Sequence, residues 1–93
     1  MQQSKTELEA IIEQRGNAYG DFRTQGIIAQ ELKDVVRTLP NWAFLQAHQR
    51  ESMEMIMHKI ARIMNGDPNH RDSWVDIAGY AQIVADRIVE RGD

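Results

Sequence analysis

The chain has 93 residues, of which 42% are hydrophobic, with no cysteine and a formal net charge of −3 at pH 7. This length fits one small domain, residues 1–93, and the missing cysteines exclude disulfides, thiolate metal sites and cysteine nucleophiles. Interspersed acidic and basic residues disfavour direct nucleic-acid binding, and the lack of a long apolar run or signal-peptide core predicts a soluble cytoplasmic protein with no membrane segment.

Two helices, separated by a turn, are predicted in the N-terminal half. Ser4 and Glu7 have the spacing of a capping box, so we expect the first helix to begin there and to end at Gly16. Its narrow apolar stripe is Leu8, Ile11 and Ile12. Helical periodicity then predicts a second helix over residues 22–39, which Pro40 ends.

The turn between these helices contains Tyr19-Gly20-Asp21, which has two interpretations. It is either a tight turn that anchors Tyr19 in the core, or a loop whose backbone amides and Tyr19 ring border a nucleotide pocket. After Pro40, the segment Asn41–Leu45 is predicted to be an aromatic connector that caps one end of the core.

The third predicted helix runs from about Ala47 to Met64 and has two distinct sides. The apolar side is Met53, Ile56, Met57, Ile60, Ile63 and Met64, with the methionines expected in the core. The opposite side is Glu51, Glu54, His58 and Arg62. His58 is interpreted as a metal ligand, a proton shuttle or an exposed residue.

The last predicted helix begins with Asp72 as its N-cap and ends near Arg91. Its main apolar stripe is Trp74, Ile77, Ala78, Ala81, Val84, Ala85 and Ile88. Asp72 and Asp76 share a second strip with Gly79 and Ile83, which predicts a partly packed acidic edge. Without any β alternation, four short-linked helices predict an all-α antiparallel bundle, and the small core favours a homo-oligomer.

Two acidic pairs carry the main chemical information in the sequence. Glu51 and Glu54 are three residues apart, so both project from one side of their helix, and so do Asp72 and Asp76, which are four apart. Carboxylates that converge from two packed helices suit a hard cation such as Mg²⁺. Such a metal polarises a phosphoryl group and activates water, so no side-chain nucleophile is needed. The alternative is that these acids form a solvated face, with Asp72 serving only as a cap.

Neighbouring side chains are candidates for the rest of a nucleotide site. Lys59 and Arg62 are placed to neutralise phosphate oxygens, and Tyr19, Trp42 or Tyr80 to stack on a base. The alternative for Lys59 and Arg62 is that they are surface charges or partners in intrahelical ion pairs.

Three stretches resemble a family of small uncharacterised phage and prophage proteins, and the resemblance spans most of the chain. They are Arg15–Phe22, Met55–Gly66 and Asp72–Ala81. Those proteins look distantly like the all-α nucleotide pyrophosphohydrolases of the MazG and dimeric dUTPase type, which place an E-x-x-E motif on one helix and an E-x-x-D motif on the next. Glu51 and Glu54 match the first motif, and Asp76 matches the final acid. Ser73 stands where the other acid is expected, with Asp72 one place away.

The resemblance implies magnesium-dependent hydrolysis of a nucleoside triphosphate to monophosphate and pyrophosphate, in the cytoplasm of a bacterial host, by a dimer or higher assembly. Together with the residue pattern, it leads to a hypothesis in which Glu54 and Asp76 are catalytic and Glu51, Glu54, Asp72 and Asp76 bind the metal. In this hypothesis Lys59 and Arg62 contact the phosphates, and Tyr80 and Tyr19 line the base pocket. The incomplete second motif favours an alternative, a non-catalytic phage protein that sequesters a nucleotide signal or binds and inhibits a host protein. A helical structural module without a ligand is a third interpretation.

Overall fold

The computed structural model describes residues 6–8 and 20–89. Residues 20–89 form three α-helices and no strand: α1, Phe22–Arg37; α2, Ala47–Asn65; and α3, Arg71–Ala85. A short 3₁₀ turn, Pro40–Phe44, joins α1 to α2. The described part is therefore all-helical, as predicted. Most of the predicted first helix, including Ser4 and Gly16, lies outside the described residues, as does Tyr19.

α1 has a capped beginning and ends close to the predicted place. The Asp21 carboxylate accepts hydrogen bonds from the Thr24 amide and hydroxyl, each at 3.0 Å. These bonds, that of the amide first, lower the pKa of Asp21 because they favour its charged form. α1 ends at Arg37 rather than at Leu39, because Leu39 precedes Pro40 and takes the extended conformation.

The turn before α1 rests against the end of α2. Gly20 has a φ of +79°, a backbone conformation that favours glycine. A Cβ atom at this position would lie 1.9 Å from the Asn65 carbonyl oxygen, so no larger residue fits. The Asn65 side-chain amide also donates to the Asp21 carbonyl at 2.7 Å. The beginning of α1 and the end of α2 are therefore adjacent, and the two helices are antiparallel.

α2 begins at the predicted residue and ends one residue later than predicted. Gln46 and Gln49 form a reciprocal capping box, in which the Gln46 amide donates to the Gln49 Oε1 at 2.8 Å. The Arg50 guanidinium donates to the carbonyls of Trp42 at 3.1 Å and Ala43 at 3.0 Å. These bonds hold the 3₁₀ turn against the first turn of α2.

The beginning of α3 corrects the predicted N-cap. His70 occupies the N-cap position, and Asp72 lies in the first helical turn. The Asp67 carboxylate closes the preceding turn by accepting from the Asn69 amide at 2.9 Å. The helix begins directly after this turn, so Asp72 already lies inside the helix and cannot be its N-cap.

The sequence predicted that α3 ends near Arg91, but the helix ends at Ala85. The amides of Arg87 and Ile88 donate to the carbonyls of Val84 and Ala85, at 3.0 and 3.2 Å, and bonds of this 3₁₀ spacing close the helix. The apolar period that continues to Ile88 misled the prediction, because Ile88 is 55% exposed and gains little from packing.

α2 packs against α1 on one side and against α3 on the other. Ala61 and Lys59 are both buried, although at 100° per residue they project about 160° apart around the helix. Ala61 lies beside Glu54, which contacts α1, whereas Lys59 contacts α3. The three helices therefore form a layer with α2 in the middle.

Few of the described residues are buried, and most of those are small. They are Ala29, Met57, Ala61, Gln25, Ser52, Lys59 and Ser73. The prediction that the methionines are core residues is right for Met57 but wrong for Met53 and Met64, which are 38% and 71% exposed. Trp74, from the predicted apolar stripe of α3, is 55% exposed. Small residues at the contacts let the helices approach closely, which leaves larger apolar side chains outside.

The layer has two faces of different chemistry. The polar face consists of Glu51, His58 and Arg62 of α2, bordered by Lys33 of α1 and Asp76 of α3. The apolar face consists of Met53, Ile60 and Met64 of α2, bordered by Val35 of α1 and Trp74 of α3. Within each set, the second and third residues of α2 follow the first by seven and eleven positions, which returns them to the same side of the helix. The two sets are offset by two positions, which places them on opposite sides.

Candidate functional site

The polar face holds several of the residues predicted for the site. Glu51 is exposed, whereas His58 and Arg62 are half-buried. Glu54 lies at the edge where α2 meets α1, and Lys59 at the edge where α2 meets α3. The two residues of the E-x-x-E motif therefore differ in their surroundings, one being open and the other held in a helix contact.

Glu54 is paired with Arg37 of α1. Its Oε1 accepts from the Arg37 Nε at 3.2 Å and also from the Arg37 Nη2. Arg37 also lies near Asp34, with 3.9 Å between Nη1 and a carboxylate oxygen. The Glu54 side chain is 23% exposed, so water screens this pair less than it screens a fully exposed pair. A carboxylate predicted to bind metal is thus already held by a guanidinium.

Asp76 is paired with Lys59, with 3.0 Å between Oδ2 and Nζ. The Lys59 side chain is 11% exposed and that of Asp76 is 45% exposed. An ammonium group that has lost most of its water needs a partner, because an unpaired buried charge is strongly destabilising. Asp76 is that partner, and the pair ties α3 to α2. The predicted contact of Lys59 with phosphate would compete with it.

Ser73, at the position of the missing acid, is 3% exposed. It lies on the side of α3 that packs against α2, three residues before Asp76. Asp72 is exposed, because one residue corresponds to a rotation of about 100° around the helix. Since α3 begins at Arg71, helical geometry holds Asp72 in that orientation.

A shallow groove of about 320 Å³ runs along α3 beside this pair. It is lined by Val75, Asp76, Gly79, Tyr80 and Ile83. Tyr80 is half-buried and Ile83 is 45% exposed, and a Cβ added to Gly79 would meet no atom within 4 Å. The predicted acidic edge is therefore an open, mainly apolar strip that brings Asp76 and Tyr80 together.

His58 contacts a buried glutamine from α1. The Gln25 Nε2 lies 3.3 Å from the His58 Nε2, and Gln25 is 3% exposed. An amide nitrogen can only donate, so in this arrangement the His58 Nε2 accepts and the neutral ring carries its proton on Nδ1. Burial, followed by the positive charges of Arg62, Lys59 and Lys33, lowers the pKa of His58.

Sequence reasoning missed three residues of this region: Gln25, Lys33 and Arg37. Gln25 had a detectable signature, because it stands four residues before Ala29 on the side of α1 that is otherwise apolar. Arg37 had none, because its partner Glu54 is 17 residues away in the sequence. Lys33 likewise stands among other charged residues of α1 with nothing local to distinguish it.

The described residues contain no group of three or more His, Asp or Glu side chains that could hold a metal ion. The convergence of the predicted metal ligands, Glu51, Glu54, Asp72 and Asp76, is therefore not seen there. Their chemistry does suit a hard cation, because carboxylate oxygens are its preferred ligands. Ligation by Glu54 and Asp76 would require both to leave their basic partners.

The chain belongs to a family described as a domain of unknown function (DUF6378), whose sequence model matches residues 5–88. The match covers all three helices of the layer and both of its faces. No curated protein and no solved structure matches the chain. Across residues 6–8 and 20–89, no helix is both long and apolar enough to cross a membrane.

Proposed function

We propose that the polar face binds a nucleotide together with Mg²⁺ and hydrolyses a nucleoside triphosphate to the monophosphate and pyrophosphate. One observation supports this above all: acidic and basic side chains from two helices share one side of the layer. Glu51 and Arg62 of α2 lie on the same face as the Lys59–Asp76 pair that joins α2 to α3. Neighbouring groups of both signs suit a metal–phosphate complex, because the metal attracts the acids and the phosphates attract the bases.

In this proposal the carboxylates hold the metal. Glu51, Glu54 and Asp76 would hold Mg²⁺ with Asp72 auxiliary, and Glu54 and Asp76 would be the catalytic residues. When bound, Mg²⁺ polarises the phosphoryl group and helps to activate water. Every other contribution comes from side chains that orient the nucleotide.

Basic and aromatic groups would then position the substrate. Arg62 and Lys59 contact the phosphates, and Tyr80 lines the base pocket from the groove on α3, together with Tyr19, which lies outside the described residues. If Glu54 and Asp76 held the metal, their present partners Arg37 and Lys59 would be available to phosphate oxygens.

We further propose a homo-oligomer in which a second copy of the chain covers the apolar face. Met53, Met64 and Trp74 are 38%, 71% and 55% exposed, and few of the residues that the structure describes are buried. The residues that define this face carry no charge, so two copies meet across a two-fold axis without opposing like charges. Burial of these side chains would add to the small apolar core, as oligomerisation often does for a chain of this size.

A non-catalytic binding protein is the second candidate, and two observations favour it. Ser73 is buried at the place of a metal-binding acid, and Glu54 and Asp76 both have basic partners already. In this version a phage-type protein in the cytoplasm of a bacterial host sequesters a nucleotide signal, or binds and inhibits a host protein.

Pyrophosphate release from a panel of canonical and modified nucleotides, in the presence of Mg²⁺, tests hydrolysis. We expect turnover by the native protein and a loss of about 100-fold or more in Glu54→Gln, because a metal ligand is removed. Glu31→Gln, on the exposed surface of α1, is the matched control and should retain activity.

The same panel separates the two candidates. If the native protein turns over no nucleotide, hydrolysis is refuted. Binding of an intact nucleotide in the presence of EDTA would support sequestration, and a stable complex with a defined host protein would support inhibition.

A further inference from the structure

The groove on α3 has a recess at Gly79. Val75 lies one turn before this residue and Ile83 one turn after it, and both side chains are exposed and line the groove. Gly79 has no side chain, and a Cβ atom added there would meet no atom within 4 Å. The recess therefore lies over bare helix backbone and has an aliphatic side chain at each end.

Tyr80 and Asp76 form the side of the groove that is nearer to α2. Both are half-buried, and the Asp76 Oδ2 lies 3.0 Å from the Lys59 Nζ of α2. Among the described residues that line the groove, the polar side-chain groups are the Asp76 carboxylate, which is already paired, and the Tyr80 hydroxyl. The recess is therefore mainly apolar and has an aromatic ring beside it.

The groove and the polar face meet at Asp76. This residue lines the groove and also borders the polar face, where it pairs with Lys59. A ligand in the groove therefore lies next to the face on which the proposed function places the metal and the phosphates. The groove volume of about 320 Å³ is near the lower limit of the usual range for small-molecule sites, so it fits a ring better than a whole nucleotide.

We propose that the groove binds the base of the nucleotide and that Gly79 determines its specificity, so that purine nucleoside triphosphates bind more tightly than pyrimidine ones. The base lies over the Gly79 backbone, between Val75 and Ile83, with the Tyr80 ring beside it. A purine binds more tightly because it buries more apolar surface than a pyrimidine. Adenine and guanine bind alike, because an apolar recess does not read hydrogen-bonding groups. This inference rests on the proposed function for the claim that the ligand is a nucleotide.

Calorimetric titration of the full chain with the α,β-methylene analogues of ATP, GTP and CTP, in the presence of Mg²⁺, tests the base preference. These analogues cannot be hydrolysed between the α and β phosphates, so the titration measures binding alone. We expect similar affinities for the two purine analogues and an affinity about tenfold lower for the CTP analogue, because apolar contacts give differences of this size. Equal affinity for all three, or a difference of about tenfold or more between the two purines, would overturn the preference.

Gly79→Leu fills the recess and tests its role. The new side chain extends into open space, and leucine favours the helix more than glycine does, so the variant should fold. We expect a loss of about tenfold or more in affinity for the ATP analogue and an unchanged affinity for inorganic triphosphate, which has no base. Gly79→Ala adds only a methyl group and should lose less.

Gly26→Leu is the matched control. It makes the same substitution in α1, where an added Cβ atom likewise meets no atom within 4 Å, and it should bind the ATP analogue as the native protein does. Equal affinity of Gly79→Leu and Gly26→Leu for the ATP analogue would overturn the site. An equal loss of affinity for inorganic triphosphate in Gly79→Leu would also overturn it, because the recess would then not act through the base.

Failure of this site and failure of the proposed hydrolysis give different results. If the ATP analogue binds in a Gly79-dependent way and no nucleotide is hydrolysed, the site stands and hydrolysis is refuted. If ATP is hydrolysed with the same KM in Gly79→Leu and the native protein, hydrolysis stands and the site is refuted. If both are right, Gly79→Leu should raise KM about tenfold with little change in kcat, because the base contact is the same in the ground state and the transition state.

Discussion

The polar and apolar faces of the layer are both centred on α2, yet they differ in the kind of molecule that can bind to them. On the polar face, Glu54 and Asp76 already have basic partners from the chain itself, and charged side chains of both signs lie side by side. On the apolar face, Met64 and Trp74 remain largely exposed. A surface of the first kind is completed by a small anion or metal complex, whereas a surface of the second kind is completed only by protein. The difference therefore separates where a ligand binds from where a partner subunit binds.

The largest expected effect comes from placing a charge on the apolar face. Met64→Glu should weaken self-association by about 100-fold, because a carboxylate would have to be buried without a partner. Sedimentation velocity over a range of protein concentrations measures this. Ala47→Glu, at an exposed position in the first turn of α2, adds the same charge elsewhere and should change little. A native protein that is monomeric at high concentration would remove the functional distinction between the faces.

The second prediction concerns the edge between the polar face and α3. Asp76→Ala should lower the free energy of unfolding by about 2 kcal/mol, because it leaves the nearly buried ammonium of Lys59 without its partner. The loss should be smaller than for a fully buried pair, because the Asp76 side chain is 45% exposed. Urea unfolding measures it. Asp72→Ala, in the same helix but exposed, should cost much less, and Lys59→Met should recover most of the loss when combined with Asp76→Ala.

The pair at the other edge should contribute less. Glu54→Gln should cost about 0.5–1 kcal/mol in urea unfolding, because the Arg37 guanidinium left behind is 40% exposed and can be solvated. Arg37→Gln should give a similar value, and the double variant should cost less than the sum of the two. Additive losses would show that the pair does not stabilise the contact between α1 and α2.

The smallest effect is the pH dependence due to His58. Its pKa is lowered in the folded protein from the ordinary value of 6.5, so the unfolded chain binds the proton more readily. His58 therefore contributes stability above about pH 6.5, and this is lost as the pH falls through the folded-state pKa. Urea unfolding above and below this range, on the native protein and His58→Gln, should show a steeper loss in acid for the native protein.

The bounds of α1 and α2 were predictable because local features determine them. Pro40 ends the first within two residues of its observed end, and the period of apolar residues defines the second. α3 was harder: Asp72 looked like a cap, but the turn closed by Asp67 starts the helix earlier. Its end was overestimated because Ile88 continues the apolar period outside the helix.

The orientation of the helices could not be read from hydrophobicity. A ranking by hydrophobicity places Met53 and Met64 in the core, whereas the contacts are made by Ala61, Ser52 and Ser73. Because α2 is held on two opposite sides, its single apolar side could not indicate both contacts. The same limit applies to the site, whose ion pairs and Gln25–His58 contact join residues 17 to 33 positions apart. Such partners are set by tertiary structure and have no local pattern.

The close fit of Gly20 against the Asn65 carbonyl restricts how the layer can respond to a ligand. With no room for even a methyl group between these backbones, α1 cannot slide toward the end of α2. We expect rearrangement around a bound anion to take the form of side-chain rotations and of movement of α3, which packs against α2 and is also joined to it by the Lys59–Asp76 pair and a short turn. We therefore expect anion binding to change the amide hydrogen-exchange rates of α3 more than those of α1.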